Sequence, residues 1–281
     1  MDNRGIGYID SGLGGLTVVA EALKQIPNES VYFVGDEARL PYGPRPHAEI
    51  VKFSLQMADF LVKKHDIKIL VVACNTATAQ ALPDLRAHLS IPVIGVIYAG
   101  AISGINATRN LHIDIVGTQS TVDSKVYYNT LKSLNANLIV RQKALPDFVQ
   151  MVEHDLAGTK QAQATVYEQL HDWVNETVDG QKADALVLGC THFPILTKEI
   201  SEACGSDVTI VDPAIAEIGQ AVEILKADDA LHDSKKINPH SEDTFYTTGS
   251  IDRFAKFAKR WLGNANLTVK ELKINQQGLF E

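Results

Sequence analysis

Cysteine is scarce in this chain, with three in 281 residues, at 74, 190 and 204. An odd, sparse count does not read as a secreted disulfide framework. No CxxC pair occurs, so neither thioredoxin-like exchange nor a zinc ribbon is supported. Positive charge is also short: 26 Lys and Arg stand against 34 Asp and Glu, a formal net charge of -8. Nucleic acid and anionic membrane both require a basic footprint, so neither is expected as the main partner, although a local basic patch is not excluded. The first ten residues, MDNRGIGYID, hold no apolar signal core. The longest uncharged run, Leu89 to Thr108, has the length of a membrane span. Pro92, Gly95, Gly100, Ser103, Gly104 and Asn106 interrupt it, and a strand, a small-residue loop and a helix explain it better. No low-complexity segment or long linker is evident. These absences lead to the expectation of a soluble, cytoplasmic protein.

What is present is ordinary in amount, with 45% apolar and 21% charged residues. At about 150 residues per domain, the length suits one large domain or two ordinary ones, with cores that fold unaided by metal or disulfide. Short apolar runs alternate with helical spacing. Strands are expected at Ile6 to Ile9, Val31 to Val34, Ile69 to Ala73, Pro92 to Ile97, Ile113 to Val116, Leu138 to Val140, Ala185 to Leu188 and Val208 to Val211. Between them, sets such as Leu16, Val19, Ala20 and Leu23 fall on one helical face. Val122, Val126, Leu131 and Leu134 suggest another helix, and Val166, Leu170, Trp173 and Val174 a third. Alternation of this kind predicts an α/β protein with mostly parallel sheets flanked by helices. The tail reads as a helix, a polar stretch from Asp228 to Asp243, a strand FYTT at 245–248 and a helix around Phe254 and Trp261.

The two halves follow one plan. A strand and a small, hydroxylic loop open each, DSGLGGLT at 10–17 and GTQSTVDS at 117–124. A buried strand ending in cysteine follows, ILVVACNTAT at 69–78 and ALVLGCTHFP at 185–194. The expected domains are therefore 1–96 with 211–281, and 97–210.

Cys74 and Cys190 thus occupy equivalent ends of buried strands, the edge where open α/β sheets bind ligands. Donors follow each: Asn75 and Thr76, then Thr191 and His192. Free cysteine is usually a small buried hydrophobe, but two in matched positions favour function. Nearby helix N-termini are expected to lower the thiol pKa values. Inverting a stereocentre beside a carboxylate needs a base on one face and an acid on the other, and thiols can serve as both. In DSGLGGLT, the glycines permit a turn whose amides can surround an anion. Thr17 occupies the third glycine position of a dinucleotide fingerprint, and the P-loop lysine is missing. Asp10 and Ser11 end the first strand, where helix capping is an equal explanation. PYG at 41–43 is a turn signal, with Tyr42 and the Gly43 amide as candidate contacts. Glu153 and His154 lie in a polar stretch and read as surface, and Cys204 reads as structural.

Taken together these motifs resemble the cofactor-independent aspartate/glutamate racemase family. The matching segments are DSGLGGLTV at 10–18, PYG at 41–43, ACNTAT at 73–78, GTQSTVDSKVY at 117–127, GCTHFP at 189–194 and FYTTG at 245–249. The resemblance implies two similar α/β domains, pseudo-twofold related, with the active site in the cleft between them. It implies interconversion of L- and D-glutamate without pyridoxal phosphate or metal, supplying D-glutamate for peptidoglycan. Carried over, Cys74 is the base for D-glutamate and Cys190 the base for L-glutamate, with Asp10 assisting the first and His192 the second. Asp10–Ser11, Tyr42–Gly43, Asn75–Thr76 and Thr191–His192 match substrate-contacting pairs. Thr118 and Thr121 match a loop that holds the substrate carboxylate, and Glu153 matches a supporting acid in some members. A homodimer is expected. Since the first strand opens so early, regulation through an N-terminal extension is not expected. Three rivals stay open: the same chemistry on aspartate or another amino acid, a binding protein closing on an amino acid, and a redox enzyme pairing Cys74 with Cys190.

Overall fold

A computed structural model describes residues 2–232, 239–263 and 267–281. It divides into two compact units, 1–96 with 214–281, and 97–213. Part of the polar stretch expected between Asp228 and Asp243, residues 233–238, lies outside the described residues.

In the first unit the chain runs β1 (Ile6–Asp10), α1 (Leu16–Gln25), β2 (Val31–Gly35), α2 (His47–His65), β3 (Ile69–Val72), α3 (Asn75–His88) and β4 (Val93–Gly95). The second unit follows with α4 (Val96–Ala107), β5 (His112–Gly117), α5 (Gln119–Asp123), α6 (Val126–Leu134), β6 (Ile139–Ala144), α7 (Pro146–Glu153), α8 (Lys160–Asn175), β7 (Ala185–Gly189), α9 (Thr197–Cys204) and β8 (Thr209–Val211). The chain then continues through α10 (Pro213–Ala227), β9 (Thr244–Thr247), α11 (Ile251–Leu262), β10 (Thr268–Glu271) and the antiparallel pair β11 (Lys273–Asn275) and β12 (Gly278–Phe280).

The first unit is built on six parallel strands in the order β10-β9-β2-β1-β3-β4. Successive side chains of a strand point to opposite faces, so an unbroken apolar run feeds two cores. Ile6, Tyr8, Ile69 and Val71 pack with Leu16 and Val19 of α1, Ile218 of α10 and Phe254 of α11. Ile9, Leu70 and Val72 pack on the other face with Met57 and Leu61 of α2 and Ala81 and Leu85 of α3. The second unit has four parallel strands in the order β6-β5-β7-β8. Its central strands, β5 and β7, are both wholly buried.

Two expectations require correction, and three strands were not foreseen. The strand expected over Pro92 to Ile97 ends at Gly95, and Val96 and Ile97 begin α4 without an intervening loop. Periodicity alone cannot divide a continuous apolar run into strand and helix. The single helix expected from Val122 to Leu134 is two, because Lys125 adopts a left-handed backbone with φ 54° between α5 and α6. Strands β10 to β12 carry no counterpart in the sequence reading, as they are short and one of them, β11, is exposed throughout. Among the described residues no helix is long and apolar enough to cross a membrane.

Candidate active site

In each unit the candidate residues collect where parallel strands end and helices begin. At the end of β1, Asp10 is fully buried, and its Oδ2 accepts a hydrogen bond from the Gly12 amide at 3.0 Å. Helix α1 has Gly15 as its N-cap residue, with no side-chain cap. Asp10 and Ser11 therefore do not cap the helix. Asp10 closes the turn that precedes it. Gly15 is needed for room: a Cβ there would lie 2.5 Å from the Cβ of Asp10. Its φ of -59° is open to any residue. Gly35 has the same role, since a Cβ would come 2.5 Å from the Gly12 carbonyl.

Cys74 is the N-cap of α3. Its sulfur accepts from the Ala77 amide at 3.4 Å and donates to Ser11 Oγ at 3.5 Å. Asn75 and Thr76 open the helix and are buried. Ser11, Cys74, Asn75 and Thr76 thus share one edge with Asp10. The expected lowering of the thiol pKa does not occur at Cys74. Burial, followed by the Asp10 carboxylate, pushes it up to about 12, against the smaller pull of Ser11 and the Ala77 and Ser11 backbone hydrogen bonds. Desolvation outweighs the helix N-terminus here. Tyr42 is buried in the same apolar cluster as Cys74, with Gly43 half-buried beside it. Its hydroxyl donates to Asp36 Oδ2 at 2.5 Å, and Arg39 Nε donates to the same oxygen at 2.6 Å. Burial, then the Asp36 charge, raises the Tyr42 phenol well above its ordinary value.

The second unit repeats the pattern with different chemistry. After β5, Thr118 is the N-cap of α5, accepting from the Thr121 amide at 3.4 Å, with its hydroxyl 3.0 Å from that of Thr121. After β7 come Cys190, Thr191 and His192, all buried. A 3-10 turn, Phe193–Leu196, follows directly. Phe193 packs edge-on against Phe148 of α7, with ring centroids 5.3 Å apart. That contact docks α7 so that its last residue, Glu153, reaches His192: Oε1 and Nε2 are 2.6 Å apart. The other ring nitrogen, Nδ1, lies 3.7 Å from the Cys190 sulfur. Burial opposes a charge on His192. The hydrogen bonds and charges of Cys190 and Glu153 overcome it and raise the imidazole well above its ordinary range.

Glu153 corrects the surface reading, since its side chain is only 7% exposed. Its neighbour His154 is exposed, as expected. Cys204 is the buried last residue of α9, and burial, then Asp114, pushes its thiol up to about 12. All three cysteines are free. Sequence reasoning missed Asp36 and Arg39. One signal was available: VYFVGD, like IGYID, is a buried strand leading into an aspartate. Among the described residues no group of three or more His, Cys, Asp or Glu is arranged to hold a metal ion.

The sequence profile of the Asp/Glu/Hydantoin racemase family matches residues 9–221. A glutamate racemase of Oenococcus oeni is 68% identical over 281 residues, covering all of both chains. A solved glutamate racemase of Bacillus anthracis superposes with a TM-score of 0.89 at 38% identity, over 99% of this chain and 100% of that one. A glutamate racemase of Francisella tularensis, solved in complex with D-glutamate, gives a TM-score of 0.84 at 30% identity, covering 98% of each chain.

Proposed function

The chain belongs to the Asp/Glu/Hydantoin racemase family, and from that premise we infer that it interconverts L-glutamate and D-glutamate by moving a proton at the α-carbon. The observation that carries this is the 68% identity to a glutamate racemase over the full length of both chains. Such enzymes supply D-glutamate for bacterial peptidoglycan. The complex of the Francisella relative with D-glutamate supports a small-molecule substrate.

We propose that Cys190 takes the α-proton from L-glutamate while Cys74 delivers a proton to the opposite face, and that the roles exchange for D-glutamate. Each turnover moves one proton from carbon to one sulfur and one from the other sulfur to carbon. The two thiols end in exchanged protonation states, and solvent resets them. This chemistry requires both clusters to meet one α-carbon at once, and a cleft between the two domains would meet that need. The imidazolium favoured at His192 holds its Nδ1 3.7 Å from the Cys190 sulfur, a geometry in which it assists that thiol. The thiol favoured at Cys74 suits it to act as acid. Asp10 then assists when Cys74 must itself become the base.

An amino acid's α-proton is a very weak acid, so its removal depends on donors fixed before the charge develops. The hydroxyls of Ser11, Thr76, Thr118, Thr121 and Thr191, the Asn75 amide and the backbone of Tyr42–Gly43 are proposed as those donors. The proposal calls on no pyridoxal phosphate or metal. It includes a homodimer in the cytoplasm. Assay of the purified protein on L-glutamate, D-glutamate and both aspartates tests the substrate. Inversion of glutamate in both directions supports the reading, and inversion of aspartate alone contradicts it.

A further inference from the structure

The FYTTG segment at 245–249 has no part in the chemistry described so far, yet it runs along the same strand edge. Strand β9 pairs with β2 in register, Thr247 opposite Gly35. This brings Thr248 beside Asp36, the residue after β2. The Thr248 amide donates to the Gly35 carbonyl at 3.2 Å. Its hydroxyl accepts from the Ala38 amide at 2.9 Å and donates to Asp36 Oδ1 at 3.0 Å. The other Asp36 oxygen, Oδ2, holds Tyr42 and Arg39. Each oxygen of a fully buried carboxylate is therefore engaged, with Thr248 on one side and Tyr42 on the other. The neighbouring residues reinforce the junction. Thr247 Oγ1 donates to Glu37 Oε2 at 2.5 Å, and a Cβ at Gly249 would come 2.8 Å from the Glu37 Cβ.

We propose that Thr248 is a positioning residue: it fixes the rotation of the Asp36 carboxylate, and through it the hydroxyl and ring of Tyr42 in the cluster that holds Cys74. The proposal rests on the racemase reading and on Tyr42 belonging to the reaction centre. Charge-assisted hydrogen bonds to a buried carboxylate are directional, so a carboxylate held at both oxygens presents its partners in one orientation. With Thr248 replaced by valine, Oδ1 loses that donor, and the carboxylate becomes free to turn toward the Ala38 amide. Tyr42 then follows.

The test combines activity with a spectroscopic readout on the whole protein. Thr248→Val, Thr248→Ser, Tyr42→Phe and the Thr248→Val/Tyr42→Phe double variant are compared, each with a thermal melt to confirm folding. Misplacement of a reacting constellation by a fraction of an ångström is expected to cost about 10-fold in kcat/KM. Thr248→Val and Tyr42→Phe should each show such a loss, the double variant should be no worse than Tyr42→Phe, and Thr248→Ser should recover wild-type turnover. In protein carrying tyrosine labelled with carbon-13 at Cζ, Thr248→Val should shift the Tyr42 resonance, assigned by its loss in Tyr42→Phe. An unmoved Tyr42 resonance overturns the proposal even if activity falls. So do losses that multiply in the double variant. Failure of the racemase reading is distinct, because wild-type protein would then invert neither glutamate enantiomer while the resonance shift could still be scored.

Discussion

Glu153 Oε1 lies 2.6 Å from His192 Nε2, while Nδ1 of the same ring faces the Cys190 sulfur at 3.7 Å. The carboxylate orients the ring and favours its charged form, and it keeps the other ring nitrogen turned toward Cys190. Glu153→Gln keeps the shape and removes the charge. It is expected to lower kcat/KM by about 10- to 100-fold. L- and D-glutamate are equally stable, so kcat/KM must fall by the same factor in both directions. A difference between directions can appear only in kcat and KM taken separately. Full kinetics on both enantiomers check this, and an unchanged kcat/KM would remove Glu153 from the machinery.

Cys74 makes a prediction about stability. Burial and Asp10 raise its thiol from an ordinary 9.0 to about 12. A group whose pKa is raised by folding stabilises the native state fully below its unfolded value, and that contribution is lost as pH rises toward the folded value. Wild-type stability should therefore fall relative to Cys74→Ser between about pH 9 and pH 12, by at most about 1.4 kcal/mol per pH unit. Urea midpoints of both proteins from about pH 8 to pH 10.5 measure it. A difference that stays constant with pH would contradict the buried neutral thiol.

Gly15→Ala places a methyl group 2.5 Å from the Asp10 Cβ. Either the turn opens or Asp10 moves. Overpacking of this kind costs about 1–3 kcal/mol. A lower melting temperature together with a loss of turnover is expected, and turnover should fall even at temperatures where the variant is fully folded. A variant with wild-type activity would show that the position of Asp10 is not critical.

A buried ion pair away from the candidate site separates stability from chemistry. Lys68 Nζ lies 2.6 Å from Glu29 Oε2, with both side chains almost fully buried. Lys68 also donates to the carbonyls of Asp2 and Ala230. Lys68→Met leaves a buried carboxylate without its counter-ion, a loss of about 3–5 kcal/mol. Pairing it with Glu29→Leu should restore much of that loss. Denaturation of the single and double variants checks this, and turnover per folded molecule should stay at the wild-type level.

Much of this architecture is legible in the residues. ILVVA at 69–73 and ALVL at 185–188 are apolar because their strands are buried on both faces, and each leads to a cysteine, the second through Gly189. The loop DSGLGGLT and the threonine pair 118 and 121 could be identified because turn and cap chemistry is local. What could not be read depends on partners far apart in the chain. Glu153 looked like surface because its burial comes from Phe148 meeting Phe193, 45 residues away. Asp36 and Thr248 are separated by 212 residues and meet only through the pairing of β2 with β9. The Cys74 thiol was misjudged for a different reason: helix capping is visible in a sequence, whereas the desolvation that outweighs it is not.

The two-thiol mechanism is tested most directly by isotope exchange in D₂O. Purified protein is given L-glutamate, and separately D-glutamate, without added pyridoxal phosphate. Early in each reaction the α-position is read by NMR in both enantiomers. Two bases on opposite faces predict that the inverted product carries deuterium from solvent, while the unreacted enantiomer still carries its original proton. An inverted product that retains the substrate's own α-proton would mean that one base serves both faces, and the assignment of Cys74 and Cys190 as a pair would fall.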